Sequence, residues 1–109
     1  MAKVELFEQD LQDSALLFKA LGHPARLAIL NYLAQTRVCI SGDISNELPL
    51  SRTTVKQHLT KLKNAGLIKG EISGVKTNYC LNTCAVEKLE QKVVELFQMM
   101  KSAFPYDCK

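Results

Sequence analysis

No stretch of this 109-residue sequence approaches the roughly 18 consecutive apolar residues that a membrane-crossing helix requires. The opening residues, MAKVELFEQD, lack the basic and apolar regions of a secretory signal, so the expectation is a cytoplasmic protein without a membrane partner. There is no CxxC at a helix start and no glycine-rich loop able to cradle a phosphate, and the two histidines, His23 and His58, fall in segments with other assignments. A thiol oxidoreductase is therefore disfavoured and no enzyme is expected. Repeats, low-complexity tracts and linkers are also missing, which leaves one domain over 1–109, just large enough to bury a single core and better served if a partner chain covers further apolar surface.

What is present is unevenly distributed. Residues 51–76 hold six of the 14 basic residues (Arg52, Lys56, Lys61, Lys63, Lys69, Lys76) and one of the 11 acidic ones, Glu71; this local +5 leaves −2 for the remainder of a chain of net charge +3. Four cysteines in so short a chain would suggest a disulfide scaffold in a secreted protein, but without an extracellular address the thiols are expected to be reduced.

Apolar residues at helical spacing predict a helix over 10–21, ended by Gly22, and a second from Pro24, which suits a first helical position, to about Ala34. Val38-Cys39-Ile40 reads as a strand stub. Ser41 is expected to cap a brief helix, with Asp43 in its first turn, running to Leu48 before the tight Pro49-Leu50 connection. Ser51 caps the next helix, whose inward stripe is Val55, Leu59 and Leu62 and which closes at Gly66-Leu67 in the Schellman manner. Ile68 and Ile72, then Tyr79 and Leu81, flank a Ser73-Gly74 turn in a β-hairpin. A last helix from about Cys84 to Ser102 places Val86, Leu89, Val93, Leu96, Met100 and Ala103 at alternating steps of three and four, a coiled-coil seam suited to dimerisation.

This order predicts a mainly α (α+β) fold: a winged helix-turn-helix with a two- to three-stranded wing sheet and long terminal helices. From Ser51 to Gly66 there is no acidic residue, so the helix can face duplex phosphates without repulsion. Arg52 and Gln57 suit guanine and adenine edges, and Thr53 a thymine methyl or a phosphate. Ser51 opens the helix, Lys56, His58 and Lys61 suit backbone phosphates, and Lys76 on the wing would reach an adjacent groove. The competing interpretation is a winged-helix protein-interaction module in which the basic residues are incidental; strong salt dependence of DNA binding would separate the two.

ALGHPARLAILNYL, DISNEL, SRTTVKQHLTKLKNAGLIKGEISG and NYCLN together resemble the ArsR/SmtB family of winged-helix repressors over roughly residues 14–100. The resemblance implies a homodimer joined through the first and last helices, about 10–21 and 84–103, on a double-stranded, imperfectly palindromic operator, released when a metal ion or thiol-reactive signal binds. The chain departs from the family's known sensor patterns. The last helix has no histidine for the zinc site of some relatives, Ile40, Gly42 and Ser45 stand where arsenic sensors carry CVCDLC, and Asn31 stands where persulfide sensors carry a cysteine.

The sensing candidates are thus this chain's own cysteines. In a winged helix the strand stub pairs with the returning hairpin strand, and alternation turns Cys39 and Cys80 to the same, less buried face, with Cys84 within reach at the start of the last helix. Sulfur donors alone favour thiophilic species. Trivalent arsenic on three thiolates, a dithiol redox switch of Cys39 with Cys80 or Cys84, and zinc with Cys108 as fourth ligand are the alternatives.

Overall fold

The computed structural model describes residues 3–36, 39–41, 44–72 and 77–103. A 3-10 turn at Val4–Leu6 leads into α1 (Gln9–Leu21), followed by α2 (Pro24–Thr36), β1 (Ile40–Ser41), a 3-10 turn at Ser45–Glu47, α3 (Arg52–Asn64), β2 (Ile68–Glu71), β3 (Asn78–Leu81) and α4 (Thr83–Ser102). The predicted mainly helical winged fold is the observed one. The expected Val38, Asp43, Ser73-Gly74 and Lys76 positions, and Cys108, lie outside the described residues.

Local signals explain most boundaries. Pro24 opens α2, and its cap is His23, whose Nδ1 accepts from the Ala25 backbone N–H at 3.0 Å. Gly22 closes α1 as expected, at an ordinary φ of −82° and with its N–H donating to Lys19 O. Ser51 caps α3 as predicted, its Oγ accepting from Thr54 N–H at 3.2 Å. The other end is a Schellman closure: Gly66 at φ 85° donates to Lys63 O and Leu67 to Leu62 O, at 2.9 and 3.0 Å. Asn82 caps α4 through Ala85 N–H.

One predicted element is different. Ser41 does not cap a helix but pairs with Asn78 in the sheet, and among the described residues of the expected helix over 41–48 the only helical element is the 3-10 turn Ser45–Glu47. Pairing with β3 draws Ser41 into extended backbone, and Pro49 pushes Leu48 to an extended φ of −133°, so little room is left between them.

The sheet is antiparallel in the order β1-β3-β2, with Ile40 opposite Tyr79, and Ile68, Lys69 and Gly70 opposite Leu81, Cys80 and Tyr79. Tyr79 and Ile68 join Ile29 and Leu33 of α2 and Val55, Leu59 and Leu62 of α3 in one core. Helix α4 contributes buried Leu89 and half-buried Val93, and Lys92 ties it to Asp10 of α1 at 2.8 Å. No described helix is long and apolar enough to cross a membrane.

Two glycines separate backbone strain from collision. At Gly66 an added Cβ meets nothing within 4 Å, so Gly66→Ala carries only the left-handed penalty of about 1 kcal/mol. At Gly70 (φ 118°) the Cβ would collide with the Asn78 carbonyl and lie 2.9 Å from Tyr79 Cα across the ladder. Gly70→Ala should therefore destabilise by about 3 kcal/mol or more, measured by urea unfolding. Equal losses at the two positions would refute this packing of the hairpin.

Candidate nucleic-acid interface and thiol pair

Helix α3 is divided lengthwise. Val55, Leu59 and Leu62 are at most 3% exposed, and against that anchored row the opposite face is open: Arg52, Thr53, Lys56 and Gln57 are all exposed. Thr53 and Gln57 continue at steps of three and four to Thr60 and Asn64, both exposed, forming the row directed away from the core. Sequence reasoning passed over Thr60 and Asn64, although the complement of the buried stripe marks them. Lys61 is exposed on the flank toward α1, where it borders a cleft of about 240 Å³ with Lys19 and Arg26.

His58 is a correction. Expected at a phosphate, it is instead 8% exposed on the inner side of α3, its Nδ1 3.3 Å from Arg26 Nη1 and its ring centroid 4.4 Å from that of His23. Arg26 of α2 is itself buried: Nε donates to Ala20 O at 2.7 Å and Nη2 to Lys19 O at 3.3 Å, across the C-terminal end of α1. The His58 pKa lies below the ordinary value of 6.5, chiefly because burial disfavours the charged ring, with His23, Arg26 and Lys61 adding repulsion. The period of the helix carried the signal: position 58 stands three residues after Val55 and four before Leu62, within the buried stripe, although its contacts with Arg26 and His23 are set by packing.

The thiols also differ from expectation in state, though not in place. Extending the β1–β3 register by one residue sets Cys39 opposite Cys80, as alternation predicts. The two are joined in a disulfide, with Cα atoms 4.4 Å apart, rather than reduced. Cys39 is exposed and Cys80 half-buried. Cys84, in the first turn of α4, is a free, exposed thiol. Among the described residues no three His, Cys, Asp or Glu side chains gather as a metal site. A disulfide offers no thiolates, so in this state the cysteines do not fit a metalloid or zinc ion.

Residues 23–69, from the α2 cap to the first wing strand, match the family model described as bacterial regulatory protein, arsR family. The chain is 34% identical to an uncharacterised HTH-type transcriptional regulator, MJ1325, of Methanocaldococcus jannaschii, over 78% of this chain and 96% of that protein. It is also 34% identical to a cadmium resistance transcriptional regulatory protein CadC homolog of Staphylococcus aureus, over 84% and 75% of the respective lengths. An ArsR-like transcriptional regulator from Rhodococcus sp. RHA1 shares the fold at a TM-score of 0.69 and 20% identity, covering 88% of this chain and 90% of its own. The helix-turn-helix, its wing and these relatives lead to one conclusion: the chain belongs to the ArsR family of helix-turn-helix transcriptional regulators.

Proposed function

We propose that this protein is a homodimeric repressor that binds a double-stranded operator through α3 when Cys39 and Cys80 are reduced, and releases it when they are oxidised to the disulfide. The observation that carries the DNA-binding part is the exposed face of α3, with Arg52, Thr53, Lys56 and Gln57 on it and no carboxylate from Ser51 to Gly66. Arg52 and Gln57 read base edges, and Lys56, Lys61 and the wing's Lys76 grip phosphates.

A second copy of the chain is supported by what one copy leaves uncovered. Val94, Leu96, Phe97, Met99 and Met100 on α4 are 39–69% exposed, and Leu11 and Leu16 on α1 are 55% and 56% exposed. The radius of gyration is 16.4 Å, against roughly 13 Å for a compact chain of this length, consistent with a protomer whose last helix projects toward a partner. Pairing through α1 and α4 would set two copies of α3 about one DNA turn, roughly 34 Å, apart.

The redox part rests on the disulfide and its position. In the cytoplasm we assign to this regulator, a persistent structural disulfide is uncommon, and those that form are mostly redox-responsive or catalytic. Cys39 precedes β1, which leads to the turn before α3, while Cys80 lies on β3, which leads through Asn82 to the proposed dimer helix α4. The bond therefore ties the DNA-reading half to the dimerisation half. A peroxide takes the two electrons and two protons of the thiols, forming the S–S bond and leaving as water and an alcohol or a second water; a dithiol or two cellular monothiols reverse the bond, leaving as a disulfide. The reduced pair would also offer two opposed thiolates to a thiophilic ion such as trivalent arsenic, in keeping with the cadmium resistance role named for one relative.

Three measurements test this reading. Fluorescence anisotropy on the DNA upstream of the protein's own gene should show Arg52→Ala weakening binding by about 1–3 kcal/mol and relaxing preference at one base pair. Lys56→Ala should weaken all sequences alike and lower the salt slope by about one. Binding without salt dependence, or unaffected by both changes, would favour the protein-interaction alternative. Sedimentation equilibrium should give a dimer for the wild type and a monomer for Phe97→Glu. Oxidation should lower operator affinity by roughly 5- to 150-fold, the usual range of allosteric coupling, and Cys39→Ser should abolish that response; equal affinity of the two redox forms would remove the redox part.

A further inference from the structure

We propose that His58, packed between Arg26 and His23 behind α3, is a proton-operated lock that loosens the DNA-reading helix and lowers DNA affinity when its ring takes up a second proton. The proposal rests on the DNA-binding role of α3 set out above.

The geometry defines which form of the ring fits. A guanidinium can only donate hydrogen bonds, so with Arg26 Nη1 at 3.3 Å, His58 Nδ1 serves as an acceptor and the ring is neutral, carrying its hydrogen on Nε2. Arg26 cannot readily turn away. Its Nε is engaged by the Ala20 carbonyl and its Nη2 by the Lys19 carbonyl, which also accepts from Gly22 N–H, at the end of α1. His23 is held too, because its Nδ1 caps α2 through Ala25 N–H. A proton on His58 Nδ1 would remove the acceptor and set a second cation against a buried guanidinium.

Among the described residues, the charges that act on His58 do not compensate. The charged and titratable groups that act on His58 are His23 from the α1–α2 connection, Arg26 from α2 and Lys61 from α3 itself, and each repels the protonated ring. Burial acts in the same direction and is the largest effect. Because the folded pKa lies below the ordinary 6.5, the neutral ring stabilises the fold fully above about pH 6.5. That contribution is lost as pH falls through the lower folded value. Since His58 lies on the buried side with Val55, Leu59 and Leu62, relief of the repulsion moves α3 relative to α1 and α2.

This sign is opposite to the usual one for DNA-binding proteins, in which acid charges surface histidines and strengthens phosphate contacts. The test is operator binding by the full chain at constant ionic strength from pH 8 to 5.5, for the wild type, His58→Gln and His23→Gln, with the thiols kept reduced. Wild-type affinity should fall by up to about tenfold per pH unit per protomer below the His58 titration point. His58→Gln, which retains an acceptor for Arg26 but takes no proton, should show no such fall, and His23→Gln, which removes one repelling neighbour, should shift it to higher pH. Equal pH slopes for the wild type and His58→Gln would overturn the proposal. If His58→Gln does not fold, two wild-type measurements decide: His58 ring resonances titrating at or above pH 6.5, or a melting temperature unchanged while His58 protonates, would each overturn it. Should the protein bind no DNA at any pH, the DNA-binding role fails on its own, and ring titration with melting still judges the lock.

Discussion

The structure depends on the burial of one side of α3. Val55, Leu59 and Leu62 pack into the same core as Ile29 and Leu33 of α2 and Tyr79 and Ile68 of the sheet. Removing such side chains from water stabilises by about 1.5–3 kcal/mol each, enough to settle which way the helix faces. Once those three point inward, Thr53, Lys56 and Gln57 have to point outward, because a helix of 3.6 residues per turn offers them no other side, and Arg52 is exposed as the first residue of the helix. The cationic surface is thus a geometric consequence of the core. Its caps sharpen the effect: Ser51 begins the helix and Gly66 ends it, so the exposed face has a defined start and length.

Strand β3 is the second organising element. It is the central strand, paired on both edges, and three kinds of connection meet on it: Tyr79 enters the core, Cys80 bonds to the residue ahead of β1, and Asn82 follows as the cap of α4. A change in bonding at Cys80 therefore acts close to both the entry to the helix-turn-helix and the start of the last helix. Arg26 has a comparable place on the opposite side, touching the end of α1 and the back of α3 from the first turns of α2. The disulfide thus joins the approach to β1 to the central strand, while the Arg26–His58 contact lies against the back of α3.

Much of the architecture could be read from neighbouring residues. The Ser51 cap, the Gly66-Leu67 closure, the inward stripe of α3, the Pro24 start of α2 and the two hairpin strands each rest on signals within a few positions of one another, and all appear in the structure. Alternation along the strands even placed Cys39 and Cys80 on one face of neighbouring strands. The errors occurred where a local preference competed with a distant partner. Ser41 has the chemistry of a helix cap, yet Asn78, far along the chain, claims it for the sheet. His58 belongs to a cationic helix and was assigned to the solvent side, but Arg26 and His23 receive it on the inner one.

From its own residues, then, the chain determined the order of elements, the division of α3 into an apolar and a basic side, and the concentration of positive charge between 51 and 76. Those features follow from periodicity, capping and charge count, which act over a turn or two of backbone. The bond between Cys39 and Cys80 and the enclosure of His58 by Arg26 were decided only in three dimensions. Each joins residues more than thirty positions apart, and their approach depends on how helices and strands pack rather than on any signal beside them.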